Sequence, residues 1–95
     1  MELALNGVRV LDLSTRASGA WCTRLLADFG ADVVMVESPT GHVLRAIGPF
    51  AEDGTSPVAA YLLANKRSLR LSATATDDLQ KLLHWAQVVV GTESR

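Results

Sequence analysis

The chain has 95 residues, of which 48% are hydrophobic and 20% are charged, a composition typical of one small globular domain rather than a disordered segment. Its 9 basic and 10 acidic residues give a net charge of −1, without the basic excess that nucleic acid binding needs. Its single cysteine excludes an intrachain disulfide and a cysteine-based zinc site. No apolar run approaches the ~18 residues of a membrane span, and the N-terminus lacks the pattern of a signal peptide, so we expect a cytoplasmic protein without membrane partners.

The first part of the chain predicts a strand, a helix and a second strand. Val8–Leu13 is almost continuously apolar, which is typical of a strand covered on both faces. Apolar residues recur with a helical period over Ser18–Phe29, with Ser18 as the N-cap and Gly30 in a left-handed conformation after the helix. Asp32–Glu37 is the second strand. Such a βαβ unit has parallel strands joined by a right-handed crossover.

The remainder predicts a long loop, two helices and two strands. The loop covers residues 39–57, contains one helical turn, and ends at Pro57, the first residue of a short helix. Ser68–Ser72 alternates as an edge strand would, Thr76 caps the last helix, and Val88–Val90 is a buried strand. The order β-α-β-loop-α-β-α-β predicts an α/β fold with a Rossmann-like open parallel sheet. Four strands are few for such a sheet, so we expect it to be part of something longer.

Ligands of open parallel sheets bind at the carboxyl ends of the strands. Here that edge is predicted to contain the turn Ser14–Gly19, the strand end Glu37–Ser38 and the residues from Gly91 onward. The first turn leads into a helix N-terminus, which favours anions. A dinucleotide site would require three glycines in this turn, where only Gly19 is present, although Glu37 stands where a ribose-binding acid would stand. NAD or FAD binding is therefore the weaker interpretation.

The one basic cluster contains Lys66 and Arg67, with Arg70 two residues further on. Such a cluster can bind phosphate, but composition alone favours a solvated loop that protects an edge strand.

Several other side chains have structural interpretations. Asp12 interrupts an apolar strand and needs partners if it is buried. Cys22 falls on the apolar face of its helix and is predicted to be an inert core thiol. The tryptophans are predicted to pack between helix and sheet and the histidines to be structural or exposed: Trp21, Trp85, His42 and His84.

The order of several motifs resembles the start of a known family. These motifs are GVRVLDLS at residues 7–14, RLLADFGADVV at residues 24–34, VESP at residues 36–39, GPF at residues 48–50 and NKRS at residues 65–68. Together they resemble family III CoA-transferases of the CaiB/BaiF type, which include formyl-CoA transferase, carnitine CoA-transferase and α-methylacyl-CoA racemase. The resemblance covers essentially all 95 residues, so the chain is interpreted as one N-terminal, CoA-binding part of such an enzyme.

The resemblance implies a large Rossmann-like domain, of which residues 1–95 would be an incomplete part, and a homodimer of two interlocked chains. It implies an enzyme that acts on acyl-CoA without a metal and moves CoA between carboxylic acids. An aspartate well beyond position 95 would take the acyl group as a mixed anhydride. Residues 1–95 would then contain no catalytic residue and be inactive alone.

The resemblance also implies a set of coenzyme A-binding residues: Arg16, Ala17, Ser18, Ser38, Lys66 and Arg67. The basic pair would lie near the CoA phosphates, which reverses the compositional interpretation, and the first-turn residues would wrap the CoA. Ser38 stands where some relatives carry a CoA-contacting arginine. Gly91–Arg95 also departs from the Asn-Phe-Arg segment of the family, which touches CoA.

Three other interpretations stay open. The chain could be part of an acyl-CoA racemase, which uses a downstream histidine and aspartate. It could be a non-catalytic binding or assembly module that has lost CoA binding. It could also be a general dinucleotide-binding domain.

Overall fold

The computed structural model describes residues 3–72 and 74–92, and it confirms the predicted order of elements. The strands are β1 (Arg9–Leu13), β2 (Asp32–Glu37), β3 (Arg67–Arg70) and β4 (Val88–Gly91). The helices are α1 (Ala17–Asp28), α2 (Pro57–Leu62) and α3 (Thr76–Trp85), with a 3₁₀ turn at Val43–Ala46 in the long loop. Within the described ranges, no helix is both long enough and apolar enough to cross a membrane.

The four strands form one parallel sheet in the order β3-β2-β1-β4. The chain moves outward from β1 through β2 to β3 and then returns to the other side of β1. The order therefore reverses between β1 and β4, and their carboxyl ends flank the crevice in which such sheets bind ligands. Thr15 and Thr92, which follow these two strands, are joined there by a hydrogen bond from the Thr15 amide to Thr92 Oγ1 (2.9 Å).

Most of the core lies on the face of the sheet that α1 and α2 cover, while Leu11 and Val34 are buried on the opposite face. Alternation along β1 and β2 directs one set of side chains to the face under α1 and α2. The fully or nearly buried members of its two apolar clusters are Val10, Ala20, Ala31, Val33, Met35, Leu44, Ala59 and Leu63. The opposite face is covered more loosely, because α3 contributes no buried residue and leaves a cavity of about 640 Å³ against β2 and β3.

The buried face of α1 differs from the predicted one. Its buried residues are Ala20 and Thr23, whereas Cys22 is exposed and Trp21 is 41% exposed. The predictions of a core thiol and of a tryptophan between helix and sheet are therefore wrong. The apolar stripe identified the helix, but close approach to the sheet requires small side chains, so Trp21 turns away and stacks on Tyr61 with ring centroids 5.8 Å apart.

The helix starts also differ from the predictions. The N-cap of α1 is Arg16 rather than Ser18, and the N-cap of α3 is Ala75 rather than Thr76; neither helix has a side-chain cap hydrogen bond. α1 begins one residue before Ser18 and α3 begins at Thr76 itself, which places both predicted capping residues inside the first turn. Gly30, by contrast, follows α1 with a φ of +104°, as predicted.

The two outer strands behave differently from each other. β3 is an edge strand that pairs with β2 alone among the described residues, as its alternation predicted. β4 was predicted to be buried, but Val88 and Val89 are 41% and 47% exposed. Within the described part of the chain β4 pairs only with β1. It is therefore an edge strand, and its valines are only partly covered.

Gly19 generates the first testable prediction. A Cβ at this position would lie 2.4 Å from Ser14 Cβ, where α1 packs against the residue that follows β1. We expect Gly19→Ala to lower the free energy of unfolding by about 1 to 3 kcal/mol, despite the better helix propensity of alanine. Urea denaturation followed by circular dichroism measures the change.

Gly91→Ala is the matched control, because no atom lies within 4 Å of a Cβ at that position. Equal stability of the two variants would show that Gly19 is not required for this contact.

Candidate functional site

The turn between β1 and α1 is built on Asp12, whose side chain is completely buried. Oδ1 accepts hydrogen bonds from the Ser14 amide (2.9 Å) and the Ser14 hydroxyl (2.6 Å). Oδ2 accepts from the Thr23 hydroxyl (2.6 Å) and from Lys66 Nζ (3.2 Å). Burial of a carboxylate is costly without partners, and these four donors supply them. The predicted need of Asp12 for partners is confirmed.

Lys66 lies just before β3 and contacts β1 and α1 through its ammonium group. Besides the ion pair with Asp12, Nζ donates to the Ala20 carbonyl oxygen (2.9 Å), and the side chain is 0% exposed. Burial lowers the pKa of Lys66, and the charge of Asp12 opposes that shift. The ammonium therefore faces Asp12 and α1 rather than solvent.

A second buried carboxylate, Glu37, lies at the carboxyl end of β2. Arg45 binds both of its oxygens (2.7 and 3.1 Å), the His42 amide donates to Oε1 (2.7 Å), and the Ser68 hydroxyl donates to Oε2. The Arg45 hydrogen bonds are the main cause that lowers the pKa of Glu37 from 4.5 to about 2, against the effect of burial. Glu37 is thus occupied by the protein, and the interpretation of this residue as a free ribose-binding acid loses its support.

His42 connects the loop after β2 to the turn after β1. Nδ1 accepts a hydrogen bond from the Leu44 amide (3.1 Å), so the proton is assigned to Nε2, which donates to the Ser14 carbonyl oxygen (2.9 Å). Both ring nitrogens are engaged and the residue is buried. His42 is therefore structural, as predicted.

The first turn of α1 is open to solvent at this edge. Arg16, Ala17 and Ser18 are all exposed, and the turn contains no acidic residue. The first amides of a helix have no partner within the helix, and their dipoles favour anions. This segment can therefore present backbone donors and one guanidinium to an anionic ligand.

The end of β2 forms another part of the edge. Ser38 is exposed, and its hydroxyl bonds Thr40 Oγ1 (2.9 Å) and the Gly41 carbonyl oxygen (3.0 Å), which shapes a tight turn. Beside it is a cavity of about 300 Å³ that reaches the first turn of α3. Its lining includes Leu13, Ser38, Leu71, Ser72, Ala75 and Thr76.

Arg67 lies elsewhere. It is the first residue of β3, and it pairs with Asp32 at the start of β2 (2.7 Å), with its guanidinium 5.9 Å from the Trp85 ring centroid. Both strand starts belong to the amino edge of the sheet, opposite the crevice. The predicted CoA-binding residues are thus divided, with Arg16, Ala17, Ser18 and Ser38 at the carboxyl edge. Of the segment Gly91–Arg95, residues 93–95 lie outside the described ranges.

The two ion pairs made by this basic cluster should differ in their contributions to stability. We expect Asp12→Asn to lower the free energy of unfolding by about 3 to 5 kcal/mol, because it leaves the buried ammonium of Lys66 uncompensated. Asp32→Asn should cost about 1 kcal/mol or less, because the partners of that pair are 66% and 45% exposed.

Denaturant titration measures both effects. The double variant Asp12→Asn with Lys66→Met also removes the buried positive charge and should recover part of the lost free energy of unfolding. Similar costs for the two aspartate variants would contradict the assigned roles.

Glu37 predicts a loss of stability in acid. Its pKa is lowered in the folded state from 4.5 to about 2, so its contribution is complete above pH 4.5 and is lost as the pH falls toward 2. The shift corresponds to about 3 kcal/mol. Unfolding free energies measured over this range should fall less steeply in Glu37→Gln than in the parent chain. Glu52→Gln, which removes a carboxylate at an exposed loop position, is the matched control.

Comparisons with known proteins give the family of the chain. The model of CoA-transferase family III matches residues 5–94. The chain is 43% identical over 94 residues to a succinyl-CoA:mesaconate CoA-transferase of Haloarcula marismortui, over 92% of this chain and 24% of the relative. It is 47% identical over 74 residues to a formyl-CoA:oxalate CoA-transferase of Afipia carboxidovorans, over 77% of this chain and 18% of the relative.

A solved structure shares the fold. A CaiB/BaiF family protein from Brucella suis superposes with a TM-score of 0.85 at 29% identity, over 96% of this chain and 26% of that protein. The chain thus spans about a quarter of the length of the relatives that it matches. With a family model that covers nearly all of its residues, the chain belongs to CoA-transferase family III.

Proposed function

We propose that this chain forms the CoA-binding part of an enzyme that transfers CoA between carboxylic acids. The observation that carries the proposal is the exposed first turn of α1, which opens on the carboxyl edge of a parallel sheet and has neither a capping side chain nor an acidic residue. CoA carries phosphates, and this is the kind of helix start that binds them. Membership of the family supplies the identity of the anion.

In this proposal each residue of the edge has a distinct task. Arg16 supplies a charge, and the backbone of Ala17 and Ser18 supplies donors, to a phosphate of CoA. Ser38 borders the path of the cofactor at the end of β2. Lys66 holds the turn through Asp12 and does not contact CoA, which revises the direct phosphate contact expected from the resemblance.

The reaction needs groups that residues 1–95 do not provide. An aspartate carboxylate outside this segment would attack the thioester carbonyl, release the CoA thiolate and form a mixed anhydride with the donor acyl group. The acceptor carboxylate would then displace the donor carboxylate from this anhydride. The CoA thiolate would attack the acceptor acyl carbonyl of the new anhydride, which forms the acceptor acyl-CoA and regenerates the aspartate. Splitting the transfer in this way replaces one difficult step by easier ones. The names of the relatives contain succinyl, mesaconate, oxalate and glutarate groups, so we propose small dicarboxylic acids as substrates.

The proposal extends to the whole protein. We propose a cytoplasmic enzyme that assembles as an interlocked homodimer and uses no metal. The transferase names among the relatives favour CoA transfer over the racemase interpretation. A non-catalytic module that has lost CoA binding is the alternative that the following experiment separates.

Titration of the isotope-labelled chain with CoA, followed by amide chemical shifts, tests the proposal. We expect the shifts to concentrate at Arg16–Gly19 and Ser38 and to spare Lys66 and Arg67. Ala17→Glu should weaken CoA binding by about tenfold, because a carboxylate in the first turn of α1 repels the phosphate. The same substitution is favourable for the helix dipole, so weaker binding would not reflect unfolding.

Ala60→Glu is the matched control, since it adds the same charge at an exposed position of α2. Absence of CoA-dependent shifts in the folded parent chain would favour the non-catalytic module.

A further inference from the structure

Ion pairing leaves four described Lys and Arg side chains without a carboxylate partner, Arg9, Arg16, Arg70 and Lys81, and of these Arg16 and Arg70 lie at the carboxyl edge of the sheet. Among the described residues, four basic side chains are paired with carboxylates: Arg24, Arg45, Lys66 and Arg67. Arg70 has no carboxylate partner among those residues. It is also exposed. Its charge is therefore not neutralised by the part of the chain that the structure describes.

The position of Arg70 matters as much as its charge. It is the last residue of β3 and stands opposite Glu37 in the register of β2 and β3. Arg70 thus lies at the carboxyl edge, whereas Arg67 lies at the other end of the same strand. Glu37 does not neutralise it, because Arg45 binds both oxygens of that carboxylate.

Local geometry holds the guanidinium against the turn that follows β2. Nη1 lies 3.4 Å from the Pro39 carbonyl oxygen, a long contact that leaves most of its donors available. Nη2 would lie 3.7 Å from a Cβ at residue 41, where Gly41 has a φ of +99° and carries no side chain. The guanidinium therefore lies next to the turn at residues 39–41 that follows β2.

We infer that Arg70 binds a phosphate group of CoA at the rim of the crevice. The inference rests on the proposed CoA-binding function and deepens it. Arg70 would take the role expected of Lys66 and Arg67, which are paired with Asp12 and Asp32. A guanidinium presents a planar fork of donors that matches phosphate oxygens. Side chains alternate along β3, so Arg70 reaches this rim from the face of the sheet opposite Leu71, which lines the 300 Å³ cavity.

Calorimetric titration of the 95-residue chain with CoA and with dephospho-CoA tests the inference. We expect Arg70→Gln to weaken CoA binding by about tenfold, and Arg70→Lys, which keeps the charge, to lose less. Loss for CoA with no loss for dephospho-CoA would assign the contact to the 3′-phosphate. Equal loss for both would assign it to the diphosphate. Either pattern supports the inference.

Lys81→Gln is the matched control, because it removes an exposed positive charge of α3 that has no carboxylate partner among the described residues. Parent-like CoA affinity of Arg70→Gln, or equal losses in Arg70→Gln and Lys81→Gln, would overturn the role of Arg70 and leave the proposed function standing. Failure of the folded parent chain to bind CoA would overturn both.

Discussion

The structure of the carboxyl edge of the sheet depends on the buried carboxylate of Asp12. A charge without access to water must be matched by donors, and the donors come from the following turn, from α1 and from the segment before β3. Satisfying Asp12 therefore fixes three segments relative to the end of β1. The close approach of Gly19 to Ser14 follows from the same arrangement, because α1 must come near enough for Thr23 to reach the carboxylate.

Glu37 is the buried carboxylate at the end of β2, and like Asp12 at the end of β1 it binds donors from several segments. It gathers Arg45 from the long loop and Ser68 from β3, while His42 connects that loop to the Ser14 carbonyl oxygen. The two carboxylates thus hold the loops at the carboxyl edge without occupying the exposed first turn of α1. The exposed first turn of α1 therefore stands beside a rigid framework, as the proposed binding of CoA would require.

Much of the fold was predictable because it depends on local periodicity. The apolar runs of β1 and β2, the helical period of α1, the proline that starts α2 and the glycine that follows α1 each act within a few residues, and the structure confirms them. The errors concern relationships between elements. Cys22 belongs to the apolar stripe of α1, but which side of that stripe meets the sheet depends on the small residues opposite Asp12.

The sequence by itself determined the element order, the parallel sheet and the family, because propensity, hydrophobic period and motif order are properties of the chain. It also required that Asp12 have partners. Only the tertiary structure decided that Lys66, which lies 54 residues away, is one of them, and that Arg67 and Arg70 stand at opposite ends of β3. Three cations that are close in sequence thereby take different positions, because the direction and register of a strand fix which of its ends lies at the carboxyl edge of the sheet.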